Sequence, residues 1–296
     1  MGRFAFLLIA VFVCACEDVV DVDLPQNESR LIVNGIVRVD PSQEFLPIKI
    51  AVTETNGFFE EPTITTLESA VILVGEPNPD APDLFNLSTK ILKELTPGSG
   101  VYEPDTVYVD ERIQTRFLTP NTVFFLIVEH KGNKYLAQSS YTRTVPIDQL
   151  ELGTETLFDE DDTEIKLTIT DVPEEKNYFV FDFGFGEFLA LDDQFIDGQQ
   201  FEFSYFYQKD LEVGQEVEIS VLGADQEFHN YMDLLVEQTQ NDGGVFETPA
   251  ATVRGNVFDI TGLDNINIFD NVGRPESFAL GYFAVVEEFK QTLTIQ

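Results

Sequence analysis

The sequence predicts a mainly β protein: an N-terminal immunoglobulin-like β-sandwich followed by a second β-rich domain with one amphipathic helix. Three observations carry this. Short β-branched and aromatic runs recur along the chain, each bounded by Pro, Gly, Asn or Asp. Only one segment shows sustained helical periodicity. The 296 residues exceed what one core usually organises, while 43% hydrophobic content and a mean hydropathy of −0.04 describe a globular chain.

In the first domain, residues 30–144, strands are expected at Leu31–Val33 and Ile36–Val37, Ile48–Val52, and Val71–Val74. Thr122–His130 and Lys134–Tyr141 flank Lys131-Gly132-Asn133, a hairpin signal. Short strands at about 10–20-residue spacing suit a sandwich of immunoglobulin size. Val145-Pro146-Ile147-Asp148 marks the boundary. The second domain, residues 145–296, restarts with strands at Glu164–Val172, Asn177–Phe185, Gln200–Tyr207 and Glu216–Leu222. A helix is expected over Asp225–Gln240, where Phe228, Tyr231, Met232 and Leu235 fall at helical spacing. Asp225 can cap its start, and Gly243-Gly244 follow its end. Strands Phe278–Val286 and Phe289–Ile295 close the chain.

Both cysteines stand in the stretch VFVCACEDVVDVDLP. Arg3, the apolar run Phe4–Val13 and a small residue before Cys16 have the layout of a secretory signal, residues 1–15. The run is shorter than the roughly 20 apolar residues a spanning helix needs. The order Val13-Cys14-Ala15-Cys16 resembles a bacterial lipobox, with Cys16 as the acylated first residue of the mature chain. Cys14 fits less well, because bulky Val13 would stand before the cut. Two or more acyl chains on Cys16 would hold the protein to a membrane essentially permanently, at roughly 0.8 kcal/mol per buried methylene. Residues 16–29 then form an acidic tether. No free thiol would remain for a disulfide or for thiol catalysis.

Acidic residues number 53 against 17 Lys and Arg, a formal charge of −36. Nucleic acid is therefore not a partner, because a polyanion needs a basic patch. Lying flat on anionic lipid is disfavoured for the same reason. The acidic run Asp159–Asp162 lacks the glycine of a calcium-binding loop, since Glu164 occupies its sixth position; it reads as a solvated loop.

Catalytic signals are sparse. The two histidines, His130 at a strand end and His229 beside the apolar helix face, read as packed or solvated residues, and no zinc-binding spacing surrounds them. Gly98-Ser99-Gly100 reads as a turn and not as a nucleophile elbow. Phosphate-loop and dinucleotide fingerprints are missing. Paired carboxylates could serve a glycosidase, yet 53 acids guarantee such pairs in any fold, so the signal lacks specificity. No cofactor or metal is expected. Phe181, Phe183 and Phe185 fall on one side of a strand, and Phe201, Phe203, Tyr205 and Tyr207 on one side of another. They are either a packed interior or an aromatic binding platform. The pattern favours the interior, and the absence of Trp weakens a sugar platform.

The stretches CEDVVDVDLP and RLIVNGIV, VPIDQL, DDQFIDGQQFEF, the helix ending near NDGG, and VRGNV with FALGYFAV occur here in one order. Together they resemble the Bacteroidota outer-membrane lipoprotein family known as domain of unknown function 4249. The resemblance implies a non-catalytic lipoprotein, often encoded near TonB-dependent transporters, with an immunoglobulin-like N-terminal domain. It further implies that Glu17 and Asp18 act as a surface-export signal behind Cys16. Asp105-Thr106-Val107 resembles that phylum's O-glycosylation triplet, with Thr106 as acceptor. The expected function is a lipid-anchored accessory of a TonB-dependent transporter or another outer-membrane protein, facing the cell surface. The alternatives are a structural subunit of a larger outer-membrane or secretion assembly, and a surface hydrolase using paired carboxylates.

Overall fold

A computed structural model describes residues 29–56, 64–157, 162–207, 211–240, 253–262 and 278–296. Among them are fifteen strands and one α-helix, so the protein is mainly β. The first half contributes β1 (Leu31–Val39), β2 (Ile50–Glu54), β3 (Ser69–Asn78), β4 (Ala81–Lys93), β5 (Val101–Pro104), β6 (Val123–His130) and β7 (Asn133–Thr142). The second contributes β8 (Ile147–Leu152), β9 (Thr163–Thr170), β10 (Tyr178–Asp182), β11 (Phe188–Asp192), β12 (Gln200–Tyr207) and β13 (Glu216–Ala224). It ends with helix α1 (Gln226–Gln240), β14 (Val257–Asp259) and β15 (Leu280–Thr294).

Twelve strands form one sheet in the order β11-β10-β13-β15-β1-β2-β5-β4-β3-β6-β7-β14, with β15 also pairing to β7; β12, β9 and β8 form a second, three-stranded sheet. Strand β15 is the spine of the molecule. It runs parallel to β1 from Leu280 to Glu287 and antiparallel to β13 from Glu288 to Thr294. Its first half lends Phe283 and Val285 to a core built mainly from β1 to β7. Its second half lends Leu293, and Ile295 follows just past its end, to a core built from Val145 through Val221. At about 3.3 Å per residue, 15 residues reach roughly 50 Å, enough to span both cores. The first core takes Val257, Ala279, Phe283 and Val285 from the end of the chain, so the larger sheet joins early and late strands in one body.

Two expected breaks are absent for physical reasons. Asn34-Gly35 does not turn the chain. A Cβ on Gly35 would stand 2.8 Å from Ile50 Cδ1 and 3.1 Å from Phe283, so glycine there admits close packing within a continuous β1. Glu287-Glu288 does not interrupt β15 either. Glu287 is buried and accepts hydrogen bonds from Tyr141 Oη at 3.1 Å and Thr144 N at 2.9 Å. Glu288 pairs with Arg38, whose other guanidinium nitrogen lies 2.5 Å from Asp182. Arg38 thus ties β1, β10 and β15 together.

Other expectations hold. The hairpin between β6 and β7 turns at Lys131 (φ 50°) and Gly132 (φ 75°), the paired left-handed residues of a two-residue turn that matches strand twist. Helix α1 is capped by Asp225, whose Oδ1 accepts the Phe228 amide at 2.8 Å. Phe228 and Met232 bury the helix against a cluster that includes Val180 of β10, Leu222 of β13 and Tyr282 of β15, with the Phe228 ring 5.2 Å from that of Tyr282. Strands β4, β5, β8, β11 and β14 were not expected from the sequence.

Candidate functional site

The aromatic strands form an interior. Phe179, Phe181, Phe183 and Tyr207 are essentially inaccessible to solvent and belong to the second core. The rings interlock across the two sheets: Phe181 meets Phe203 edge-on at 5.0 Å, and Phe183 stacks on Tyr205 at 3.7 Å and 6°. Each tyrosine hydroxyl that enters this core has a partner. Tyr205 Oη donates to Glu187 at 2.5 Å, and Tyr207 Oη donates to the Phe183 carbonyl. Phe185 departs from the expected alternation. Strand β10 ends at Asp182, and Phe185 sits in the turn beyond it with φ 58°, 55% exposed. Of the three phenylalanines, β10 buries Phe181, Phe183 is buried just past its end, and Phe185 is half-exposed with its ring edge-on to Tyr207 at 6.1 Å.

The quoted glycines and asparagine have a common purpose. In VRGNV, Asn256 Nδ2 donates to the carbonyls of Gln138 (2.9 Å) and Phe283 (2.7 Å), while its Oδ1 accepts the Phe283 amide at 2.9 Å. One buried side chain therefore joins β7 to β15. A Cβ on Gly255 would lie 1.6 Å from the Gly281 carbonyl oxygen, and one on Gly281 (φ 87°) would lie 2.0 Å from the Val33 carbonyl oxygen. Glycine at 255 lets this segment meet β15, and glycine at 281 lets β15 close on β1. This clamp was not foreseen, since separate short motifs give no sign that they touch.

DDQFIDGQQ forms a second clamp. Asp193 accepts the Asn177 amide at 2.6 Å, Asp197 accepts the Glu174 amide at 2.9 Å, and Asp171 accepts the Gly198 amide at 2.8 Å. Burial, reinforced by the neighbouring Asp193 and Asp197, raises the Asp171 carboxyl above its ordinary range. VPIDQL supplies β8, the edge of the small sheet, held to β15 by Gln291 Nε2 donating to the Ile147 carbonyl at 2.8 Å.

His130 is buried beside a carboxylate. Its Nδ1 lies 3.0 Å from the Thr66 carbonyl and its Nε2 lies 3.2 Å from Glu54 Oε1, which also meets Lys131 Nζ at 2.6 Å. Burial pushes the Glu54 carboxyl up, but hydrogen bonds from Lys131 and His130 outweigh it and hold the group below its ordinary value. His229 is half-buried, its ring 5.1 Å from Tyr178 and its Nδ1 3.3 Å from Asn230. The two histidines stand in different parts of the fold. Among the described residues, no group of three or more His, Cys, Asp or Glu side chains is placed to hold a metal ion.

Thr106 lies in an exposed turn closed by Asp105, whose Oδ1 accepts the Val107 amide at 3.0 Å. That backbone hydrogen bond and the Lys93 ammonium lower the Asp105 carboxyl from its ordinary value. The expected turn at Gly98-Ser99-Gly100 is present, with Gly98 at φ 80° and Gly100 at φ 68°. Cys16, Glu17 and Asp18 lie outside the described residues, as does most of Asp159–Asp162. No helix among the described residues is long and apolar enough to cross a membrane.

Three comparisons with known proteins bear on this chain. A family model described as a domain of unknown function, DUF4249, matches residues 17–292. No curated protein matches. Among solved structures, the chicken interferon gamma receptor alpha chain aligns at 10% identity over 65% of this chain and 88% of the receptor chain. Its TM-score is 0.18, too low to carry an argument.

Proposed function

The chain belongs to the DUF4249 family, and from that premise we propose a lipid-anchored outer-membrane lipoprotein that serves a TonB-dependent transporter as a non-catalytic accessory on the cell surface. The observation that carries the reading is the junction at Cys16. The family match begins at Glu17, directly after the cysteine that completes Val13-Cys14-Ala15-Cys16. The region shared by the family thus starts where an acylated chain would leave the membrane. Glu17 and Asp18 stand at the export-signal positions, and Thr106 is the proposed acceptor of an O-linked glycan.

The mechanism is capture by tethering. Acyl chains on Cys16 confine the protein to the plane of its partner, so modest contacts give a lasting complex through high effective concentration. The role of the fold is to present a rigid surface. The aromatic rings that could have formed a ligand platform are instead committed to packing, which directs attention to protein contacts at the outside of the sheets.

Affinity purification of the acylated protein from its native membrane in mild detergent, with Cys16→Ala as control, tests this reading. One stoichiometric transporter barrel, lost with Cys16→Ala, is the expected result. Several essential envelope proteins in place of one barrel would point to an assembly subunit and overturn it.

A further inference from the structure

We infer that the free edge of β4 is a docking site for an extended, basic segment of a partner protein, added as a further strand. The site is built from backbone. Strand β5 pairs with β4 only at Leu92 and Lys93, so among the described residues the stretch from Phe85 to Lys90 has a strand partner on one side alone, β3. Two facts show which backbone groups are left over. Pro77, which has no N–H, stands opposite Phe85 in the β3–β4 register, and the Ile91 amide donates to the Glu111 carboxylate at 2.8 Å and not to β3. In an antiparallel pair, residues alternate between facing the partner and facing away. Phe85, Leu87 and Thr89 therefore turn their N–H and C=O groups toward the free edge, as Ile91 does.

The surroundings say what kind of strand fits. Fifteen large apolar side chains are exposed among the described residues, and nine of them lie between Ile64 and Phe117. Phe85, Leu87 and Ile91 line one face of the edge, exposed by 37%, 41% and 48%. On the other face Ser88 and Lys90 border a groove of ≈ 540 Å³ whose far wall includes Val109 and Phe117. An added strand would lay alternate side chains on the apolar face and into this groove, which is how edge pairing acquires specificity. The charge sign follows from the acids. Residues 76–117 contain eight acidic and four basic residues. Lys90 Nζ donates to the Asp110 carbonyl, Lys93 pairs with Asp105, and Arg112 lies over the Phe45 ring at 3.5 Å.

Edge strands in soluble proteins are usually blunted by proline, charge or a bulge, because a bare edge recruits other chains. Here the bulge at Pro77/Asn78 and Pro82 lie near the hairpin tip, and the segment FNLST, residues 85–89, has neither proline nor charge. A second copy is a poor occupant, since each carries a formal charge of −36. The occupant assigned is an extended partner segment, apolar at alternate positions with Lys or Arg between. This inference rests on the reading of the protein as a binding module and not on its anchoring.

Amide hydrogen exchange measured by NMR on residues 16–296 carrying Cys16→Ala tests it, with an eight-residue peptide of alternating Lys and Val as probe. Leu87 and Thr89 amides should exchange at least about tenfold more slowly at saturating peptide. Thr89→Pro should abolish that protection while leaving the far-UV spectrum intact, because proline is tolerated where the N–H faces away from the ladder. If that variant does not fold, Leu87→Glu serves as the second, exposed substitution and should also prevent binding. Equal protection by a Glu/Val peptide would overturn the basic partner. Protection that grows with protein concentration alone would assign the edge to self-association, and no protection at saturating peptide would overturn the site. Because the assay contains no membrane or transporter, its failure is distinct from failure of the copurification.

Discussion

The phenol of Tyr141 donates to Glu287 Oε1 across 3.1 Å, joining β7 to the middle of β15 at the level where one core gives way to the other. Thr144 N holds the second carboxylate oxygen at 2.9 Å. Tyr141→Phe would leave a buried carboxylate oxygen without its donor. Hydrogen bonds to charged groups contribute about 1.5–3 kcal/mol, so urea unfolding should show a loss of that size. Substituting both partners, Tyr141→Phe with Glu287→Leu, should cost less than the sum of the single changes.

Burial first, and the Glu287 charge second, push the Tyr141 phenol well above its usual value of 10.0. Tyr205, Tyr207 and Tyr282 are raised as well, each chiefly by burial. A phenol raised in the folded state contributes stability that is intact below the unfolded value and is lost as pH climbs above it. The melting temperature should therefore begin to fall above about pH 10. Tyr141→Phe should flatten part of that decline.

At the acid end, Glu54 is lowered from its ordinary 4.5 in the folded state. The sign is opposite: its stabilisation is present above the unfolded value and disappears as pH falls below about 4.5. Glu54→Gln should lower stability by about 1–3 kcal/mol at neutral pH. The difference from the parent protein should shrink on titration toward pH 3, measured by chemical unfolding at each pH.

The clamp of Asn256 on β7 and β15 predicts a large local effect. Asn256→Ala removes three hydrogen bonds from a buried site and leaves two carbonyls and an amide short of a partner. A cost of at least about 2–3 kcal/mol is expected. Gly281→Ala should be worse, because the new Cβ would meet the Val33 carbonyl oxygen at 2.0 Å in a left-handed backbone. Differential scanning calorimetry of both variants tests the ranking.

Much of the fold was legible because alternation and turn chemistry are local. Gln200–Tyr207 appears as the sequence predicts, the β6–β7 hairpin turns at Lys131-Gly132, and Asp225 caps α1. What escaped depends on distant partners. Glu287-Glu288 looks like a break until Tyr141, Thr144 and Arg38 are beside it. Strand β4 carries Pro82, Asp83, Asn86 and Ser88, residues that read as loop, and it is a strand because β3 pairs along most of its length. The edge it leaves open was invisible for the same reason, since no single-chain pattern records which strands lack a neighbour.

The aromatic residues provide the clearest separation of packing from presentation. Phe183 is fully buried, stacked on Tyr205, and its carbonyl accepts the Tyr207 hydroxyl. Phe183→Ala should cost about 3–5 kcal/mol, the range for emptying an aromatic core position. Phe185 lies two residues on, 55% exposed in a glycine-flanked turn with its ring edge-on to Tyr207, so Phe185→Ala should cost no more than about 1.5 kcal/mol. Had the three phenylalanines formed one binding platform, both substitutions would be mild in unfolding experiments. A difference of several kcal/mol between neighbours of identical chemistry would place the strand in the core. Equal, small effects would reopen the platform and make Phe183 a contact residue.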